Sequence, residues 1–500
     1  EPKLPADLAT MVTSVAFTDS YDENLVPDKQ TVEMMDLNTG KVVPKSKYAT
    51  RWDEGRHLFQ LTVKDQSLIG QWRASSSPRV QIRFEGTVKE DAPADHKIGN
   101  KWVLTLNNSL TPSNEVFNLP PVFNPSKKDT QSKEQGDPTV SIDGKTMLLG
   151  DTGHYTIDLD ATQKDQAYKV WRLGLTDDFD DEYVSIDPSR IEITGDDGKD
   201  YTNAFNIQVR DGVAYAYAKT VDTEIPATGE TVKGDPQPTD LKAYAGKSDK
   251  DHDPLKDPAI DQSLLGQHYA VTLPYTVVKV TDGYVVKNTA VQIVNNVRKK
   301  TNTVSNPLKP INPKKDVTVK VGGHSVDGRS VYLDSTFLYQ LDSSILPADR
   351  AYQKIANWGI TDQLDPAYDK ATGQWAVYAA RERIAGSGFD SSRLGGDMFT
   401  ANIDPSTGLV DIQATQAYLD LVSADDAHEQ GWRAYVQVTR VKVTDRHENV
   451  FTEHVNGKDL TSNIVWTRTP DLTPGIKLEK WDRRSGWPKG DRDDSKDALD

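Results

Sequence analysis

The chain contains no cysteine. That removes disulfides, thiolate catalysis and thiolate metal sites together. Long secreted animal chains normally carry disulfides, so a cysteine-free chain of 500 residues fits a protein exported by a Gram-positive bacterium. Any covalent staple must then come from other side chains. No apolar run approaches the ~20 residues of a membrane span, and no stretch reads as a signal peptide. The first residue is Glu1, so the chain reads as a piece of something longer. Positive charge is also short, with 59 Lys and Arg against 75 Asp and Glu and a net charge of −16. That balance disfavours nucleic acid as a partner and suits a self-repelling surface protein with room for cation sites. The nine His residues are scattered, as at His154, His324 and His447. No His-containing triad, Gly-rich phosphate loop or metal-spaced cluster accompanies them, and no enzyme of the ordinary kind is expected.

What is present is a repeat. Asn312-Pro-Lys-Lys-Asp-Val-Thr-Val-Lys-Val321 has an earlier echo in Asn124-Pro-Ser-Lys-Lys-Asp129. Each follows a Pro-containing joint and opens a β-type segment. Each is followed by an Asp-Gly turn, at Asp143-Gly144 and Asp327-Gly328. Then come Gly174-Leu-Thr-Asp177 and Gly359-Ile-Thr-Asp362, and later Asn288 with Ser305-Asn306 and Asn449 with Ser462-Asn463. A unit written twice sets the architecture before any single motif does.

At 36% hydrophobic and 27% charged, the composition is that of folded protein, and the length implies three or four domains. Residues 1–122 read as strands and turns, with Phe17-Thr-Asp19, Asn100 and Ser113-Asn114 matching the repeat signals. Its opening strand and lysine are missing from the pattern, and Lys3 is out of register to replace the latter. Residues 123–311 are a complete module with strands at His154–Asp158, Val213–Tyr217 and Tyr269–Val278, and a polar excursion between Thr223 and Gln262. Residues 312–472 are the next, with strands at Val331–Leu333, Phe337–Leu341 and Arg433–Val443 and a short helix over Thr415–Val422. Residues 473–500 read as the start of a further domain or a tail, with a strand at Gly475–Trp481. Alternating strands with little helix give an all-β fold of tandem immunoglobulin-like sandwiches, and short Pro-containing links make an elongated rod.

A lysine on the first strand and an Asn on the last can both point into such a core. Burial disfavours the ammonium, so the amine becomes a nucleophile. A buried Asp tends to be protonated and can polarise the carboxamide. Attack with loss of ammonia leaves a Lys–Asn amide, driven by proximity. The candidate trios are Lys128, Asp177, Asn288 and Lys315, Asp362, Asn449. Spacing leaves Lys127 and Lys314 open as the lysines, and Asp180 and Asp365 as the aspartates. By the loop-entropy model, closing loops of roughly 130–160 residues is worth roughly 4–5 kcal/mol. The same pattern also describes solvated lysines, turn asparagines and acidic surface turns. Asp177–Asp181 and Asp362–Asp365 are oxygen-rich enough for Ca²⁺, although no run matches an EF-hand loop.

Lys309-Pro-Ile-Asn-Pro-Lys-Lys-Asp-Val-Thr-Val319, with Val326-Asp-Gly328, Ile345-Leu-Pro-Ala-Asp349, Glu448-Asn449 and Ser462-Asn463, resembles the C-terminal region of the streptococcal antigen I/II surface adhesins. Ile142-Asp-Gly-Lys-Thr146 and Lys287-Asn-Thr289 extend the likeness to the preceding module, and aggregation-substance adhesins of enterococci share such modules. The resemblance implies immunoglobulin-like domains, Asp-assisted Lys–Asn isopeptide bonds, bound calcium with no other cofactor, and a stalk on the bacterial cell wall that supports adhesion, aggregation or biofilm formation. Carried over by position, the lysines are Lys128 and Lys315 and the asparagines Asn288 and Asn449. The assisting aspartates are Asp177 and Asp362, with Asp180 and Asp365 as alternates. It further implies an extracellular, monomeric chain whose partner is a host glycoprotein or another bacterial surface ligand. No membrane insertion is expected. The lectin-like head and sorting signal of full-length members have no counterpart in the sequence.

Overall fold

The computed structural model describes residues 12–472, 481–482 and 491–492, apart from 76–77, 90–91, 94–95, 134–136, 138, 165–168, 226–227, 235–239, 248–256 and 382–393. The Leu4–Asp7 phrase, Lys3 and most of the Gly475–Trp481 stretch lie outside these residues. Among the described residues no helix is long and apolar enough to cross a membrane.

Three tandem β-sandwiches follow one another. In the second domain one sheet runs in the order Val140–Ser141, Ser126–Gln131, Thr152–Asp160, His268–Val277 and Val184–Ile186, with Glu192–Gly195 also on His268–Val277. The facing sheet runs Phe205–Arg210, Val213–Ala218, Leu173–Asp178, Ala290–Val294 and Val297–Lys300. His268–Val277 alternates half-buried and buried at every residue, the signature of a strand with one face on a core. Pro274 sits inside it, level with the break between Ile186 and Glu192 in the neighbouring strands. Its missing N–H therefore faces a gap in the ladder. Tyr155, Ile157, Leu175 and Val271 fill the space between the sheets.

The third domain repeats the plan. Lys314–Thr318, Thr336–Asp342, Gly431–Arg440 and Asp369–Arg381 face Phe399–Ile403, Leu409–Ala414, Trp358–Gln363, Phe451–Val455 and Lys458–Thr461. The expected helix spans Gln416–Ala424 and buries Tyr418, Leu419 and Val422. The expected strand at Val331–Leu333 does not form. Only an isolated bridge at Ser330 is made there, and Tyr332 and Leu333 point to solvent in a turn.

The first domain has Tyr48–Asp53, Leu58–Val63, Val15–Tyr21, Ile98–Leu106 and Ser109–Pro112 in one sheet, with Val116–Asn118 also on Ile98–Leu106. Among the described residues Lys41–Val42, Leu25–Asp36 and Val80–Val88 form the other. A helix at Gln66–Ala74, capped by the Asp65 carboxylate accepting from the Ser67 and Leu68 amides, buries Ile69 and Trp72.

The polar excursion of the second domain is not wholly loop. Its helix Leu241–Gly246 buries Leu241 and Ala245 against Tyr215, Tyr217 and Ile293 on the outer face of a sheet. The buried Arg172 guanidinium ties it down by donating to the carbonyls of Tyr244, Ala245 and Lys247 at 2.9, 3.2 and 3.0 Å. Domains two and three also share backbone contacts. Thr146 N donates to Asp349 O at 3.0 Å and Ala351 N to Thr146 O at 2.8 Å, so the Ile345–Asp349 phrase forms part of the joint.

Candidate crosslinking site

Strand alternation decides which lysine enters the core. Along Ser126–Gln131, Lys127, Asp129 and Gln131 are buried and Lys128 is exposed. The expectation of Lys128 is therefore corrected to Lys127. The error came from counting back from the shared Lys-Lys-Asp. Ser126 is an extra residue before the second domain's pair, so counting forward from Asn124-Pro and Asn312-Pro gives Lys127 and Lys315. In the third domain Lys315 is buried and Lys314 exposed.

Lys127 Nζ lies 2.5 Å from Asp177 Oδ2, with both side chains fully buried. Asn288 Nδ2 lies 3.5 Å from the same carboxylate oxygen. Lys315 Nζ is hydrogen-bonded to Asp362 Oδ2, and Asn449 Nδ2 lies 3.4 Å from that oxygen. The alternates Asp180 and Asp365 are elsewhere. Asp180 accepts from the Tyr284 hydroxyl at 2.5 Å, and the exposed Asp365 accepts from the Ala367 amide in a turn.

The register explains the convergence. Asp177 pairs with Ala290 and Asp362 with Phe451 across the second sheet, two residues past Asn288 and Asn449. The lysine strand is held from behind by an Asn clamp. Asn302 Oδ1 accepts from Lys127 N at 2.8 Å and its Nδ2 donates to Lys127 O at 2.9 Å. Asn463 does the same to Lys315 at 2.8 and 3.0 Å. The sequence reading paired Asn463 with Asn306, but Asn306 donates to Ile142 O. The true counterpart, Asn302, follows Asn288 by the same interval as Asn463 follows Asn449, and that equal spacing was the available signal. An aromatic platform was also missed. Lys127 Nζ stands 4.6 Å from the Tyr155 ring centroid, and Lys315 Nζ stands 4.5 Å from that of Tyr339 and 5.6 Å from that of Phe451.

Burial lowers the affinity of Lys127 and Lys315 for their protons, although the adjacent carboxylates oppose it. Burial likewise raises Asp177 and Asp362, against the pull of the lysines. Both shifts favour the neutral pair, a free amine beside a carboxylic acid. Among the described residues Asp177 Oδ1, Asp362 Oδ1 and Asn288 Oδ1 are buried with no hydrogen-bond partner, which is costly. A nucleophile, an amide carbon and a proton carrier thus meet in a site closed to water. Among the described residues no group of three or more His, Asp or Glu side chains is placed to hold a metal.

The sequence model of the cell surface antigen C-terminus matches residues 312–470, and that of the antigen I/II C2 terminal domain matches 3–120 and 125–308. The chain belongs to the antigen I/II family of cell-surface adhesins. The aggregation substance of Enterococcus faecalis is 30% identical over 390 residues, 75% of this chain and 26% of the relative. The chain thus spans about a quarter of that relative's length. The C-terminal domain of the Streptococcus pyogenes antigen I/II-family protein AspA superposes with a TM-score of 0.51 at 23% identity, covering 69% of this chain and 99% of that one. The Streptococcus agalactiae BspA C-terminal domain gives a TM-score of 0.49 at 20% identity, covering 69% and 100%. This antigen I/II chain is therefore a cell-surface protein built of immunoglobulin-like sandwiches.

Proposed function

We propose that domains two and three each close a Lys–Asn amide, Lys127 to Asn288 and Lys315 to Asn449. The crosslinked pair would serve as a stiff stalk segment of a Gram-positive adhesin. Neutral lysine attacks the Asn Cγ, and the Asp carboxyl carries a proton from the amine to the departing nitrogen, which leaves as ammonia. Asp177 and Asp362 end as they began, and each domain reacts once. The observation that carries the reading is the repeated placement of lysine and Asn nitrogens on one carboxylate oxygen in a dry core. Tying the lysine strand to the exit strand resists opening under tension. Support for the adhesive context comes from the family and the enterococcal relative. The partner on this reading is a host glycoprotein or another microbial surface ligand.

Each bond removes one ammonia, about 17 Da by the reaction itself. Intact mass should therefore fall about 34 Da below the sequence mass. Asn449→Ala should restore one loss, and an unchanged deficit in that variant would contradict the assignment.

A further inference from the structure

The two lysine-bearing cores differ at one buried carboxylate. Along Ser126–Gln131, Asp129 follows Lys127 by two residues and enters the core on the same face, about 7 Å further along the strand. Tyr155 pairs with it across the sheet and underlies the Lys127 amine at 4.6 Å. Tyr275 stacks on Tyr155 with ring centroids 4.2 Å apart, and its hydroxyl donates to Asp129 Oδ1 and Oδ2 at 3.0 and 3.1 Å. Gly153, paired with Tyr275, makes the room: a Cβ there would stand 2.6 Å from the tyrosine ring. Domain three replaces all three residues. Val317 holds the place of Asp129, Phe337 that of Gly153 and Val438 that of Tyr275.

Asp129 is fully buried, and the cation that acts on it is Lys127. Among the described residues the other groups around it bring no positive charge. They are Asp143 in the turn, Tyr155 and Tyr275 on neighbouring strands, Asn306 near the end of the domain and Asp177 on the facing sheet. His154 and His268 stand on the opposite face of the sheet. Burial raises Asp129 to about 7 against the bonds from Tyr275 and Asn306, so it changes charge near neutrality. Its charge in turn strengthens the hold of Lys127 on its proton. Lys127 and Asp177 together hold one proton, whether they stand as ammonium and carboxylate or as amine and acid. The balance between those two forms therefore does not follow pH by itself. A third charge beside the lysine moves it, towards the ion pair when Asp129 is ionised.

We propose that Asp129 is a positioning residue that sets the pace of amide closure in domain two. Ionised, it holds Lys127 as the unreactive ammonium; protonated, it releases the amine, so domain two closes faster in acid. This rests on the amide-forming reading above. The bonds are those of that reading: Lys127 Nζ to Asn288 Cγ forms, Cγ–Nδ2 breaks, and the nitrogen leaves as ammonia with a proton carried by Asp177. Asp129 acts through the charge of Lys127 and takes no part in the bonds. An unassisted amine reacts more slowly in acid, where it is protonated, so acceleration is a signature that packing alone does not produce.

The test uses the whole chain, purified in denaturant at its full sequence mass and diluted to refold at about pH 5.5 and about pH 8.5, either side of the Asp129 transition. Intact mass and peptide mapping then time each ammonia loss. Domain two should close about tenfold faster at the lower pH, the effect of about one unit on a buried lysine. Asp129→Asn should close it at the fast rate at both, with the loss from domain three timed alike in the two proteins. Should Asp129→Asn fail to refold, Tyr275→Phe serves. It removes a bond that favours the charged carboxylate, so the fast rate should persist to higher pH. Equal or slower closure of domain two in acid would overturn the proposal, and so would a profile that either substitution leaves unchanged. A chain that never loses ammonia would instead overturn the amide reading of domains two and three, and this proposal with it.

Discussion

Domains two and three place a second buried carboxylate near the lysine and handle it in opposite ways. In domain two, Asp129 accepts from the Tyr275 hydroxyl at 3.0 and 3.1 Å, and burial pushes it up to about 7 against the hydrogen bonds from Tyr275 and Asn306. In domain three, Asp369 is gripped by Arg440, Nε to Oδ1 at 2.6 Å and Nη2 to Oδ2 at 3.2 Å. The Tyr339 hydroxyl adds a bond at 2.6 Å. Burial would raise Asp369, but bonds from His447 and Arg440 outweigh it and hold the carboxyl below its usual range. Arg440 is satisfied in turn by Thr469 and Thr467 at 2.9 and 2.6 Å. One plan thus tolerates a neutral acid or a complete ion pair beside its buried lysine. An unpaired charge there would cost several kcal/mol.

The comparison breaks most completely at the lysines. Lys127→Ala should abolish one ammonia loss and leave domain two open to proteolysis while domain three stays crosslinked, whereas Lys128→Ala should leave both losses intact. Mass and limited proteolysis of the pair read this directly. Next, Arg440→Met strands Asp369 in the core and should destabilise domain three by about 3–5 kcal/mol, with domain two unaffected. Hydrogen exchange resolved by domain measures it. Asn463→Ala frees the lysine strand's backbone groups and should cost about 1–3 kcal/mol, seen as slower amide formation in freshly refolded protein.

The smallest effect is the response to pH. Asp129 binds its proton more tightly folded than unfolded, so its contribution is full below about 4 and is lost as pH rises through about 7. Asp151, raised by burial to about 7 at the joint with domain three, acts in the same sense. Asp369 is lowered on folding, so its contribution is present above the ordinary carboxylate value and is lost only as pH falls below about 4. Between pH 7 and 5 Asp129 should add to the protection of domain two from exchange, whereas Asp369 should add nothing to that of domain three. Asp129→Asn should flatten part of that gain.

Much of this was legible because strands announce themselves by alternation, and the Gly-aliphatic-Thr-Asp phrase lands both aspartates, Asp177 and Asp362, on one register. The lysine was missed by one residue because Ser126 shifts the pair against the following Asp, and a shift of one turns a side chain to the opposite face. The Leu241–Gly246 helix was hidden because its polar surroundings mask an anchor, Arg172, that is distant in sequence. The Asn302 clamp acts through backbone atoms of a strand far along the chain, so residue type alone gives it no signature.

Peptide mapping by tandem mass spectrometry tests the central claim most directly. It should find two branched peptides, one joining Lys127 to Asn288 and one joining Lys315 to Asn449, each short of one ammonia. Linear peptides with all four side chains unmodified, or a branch at Lys128, would contradict the account.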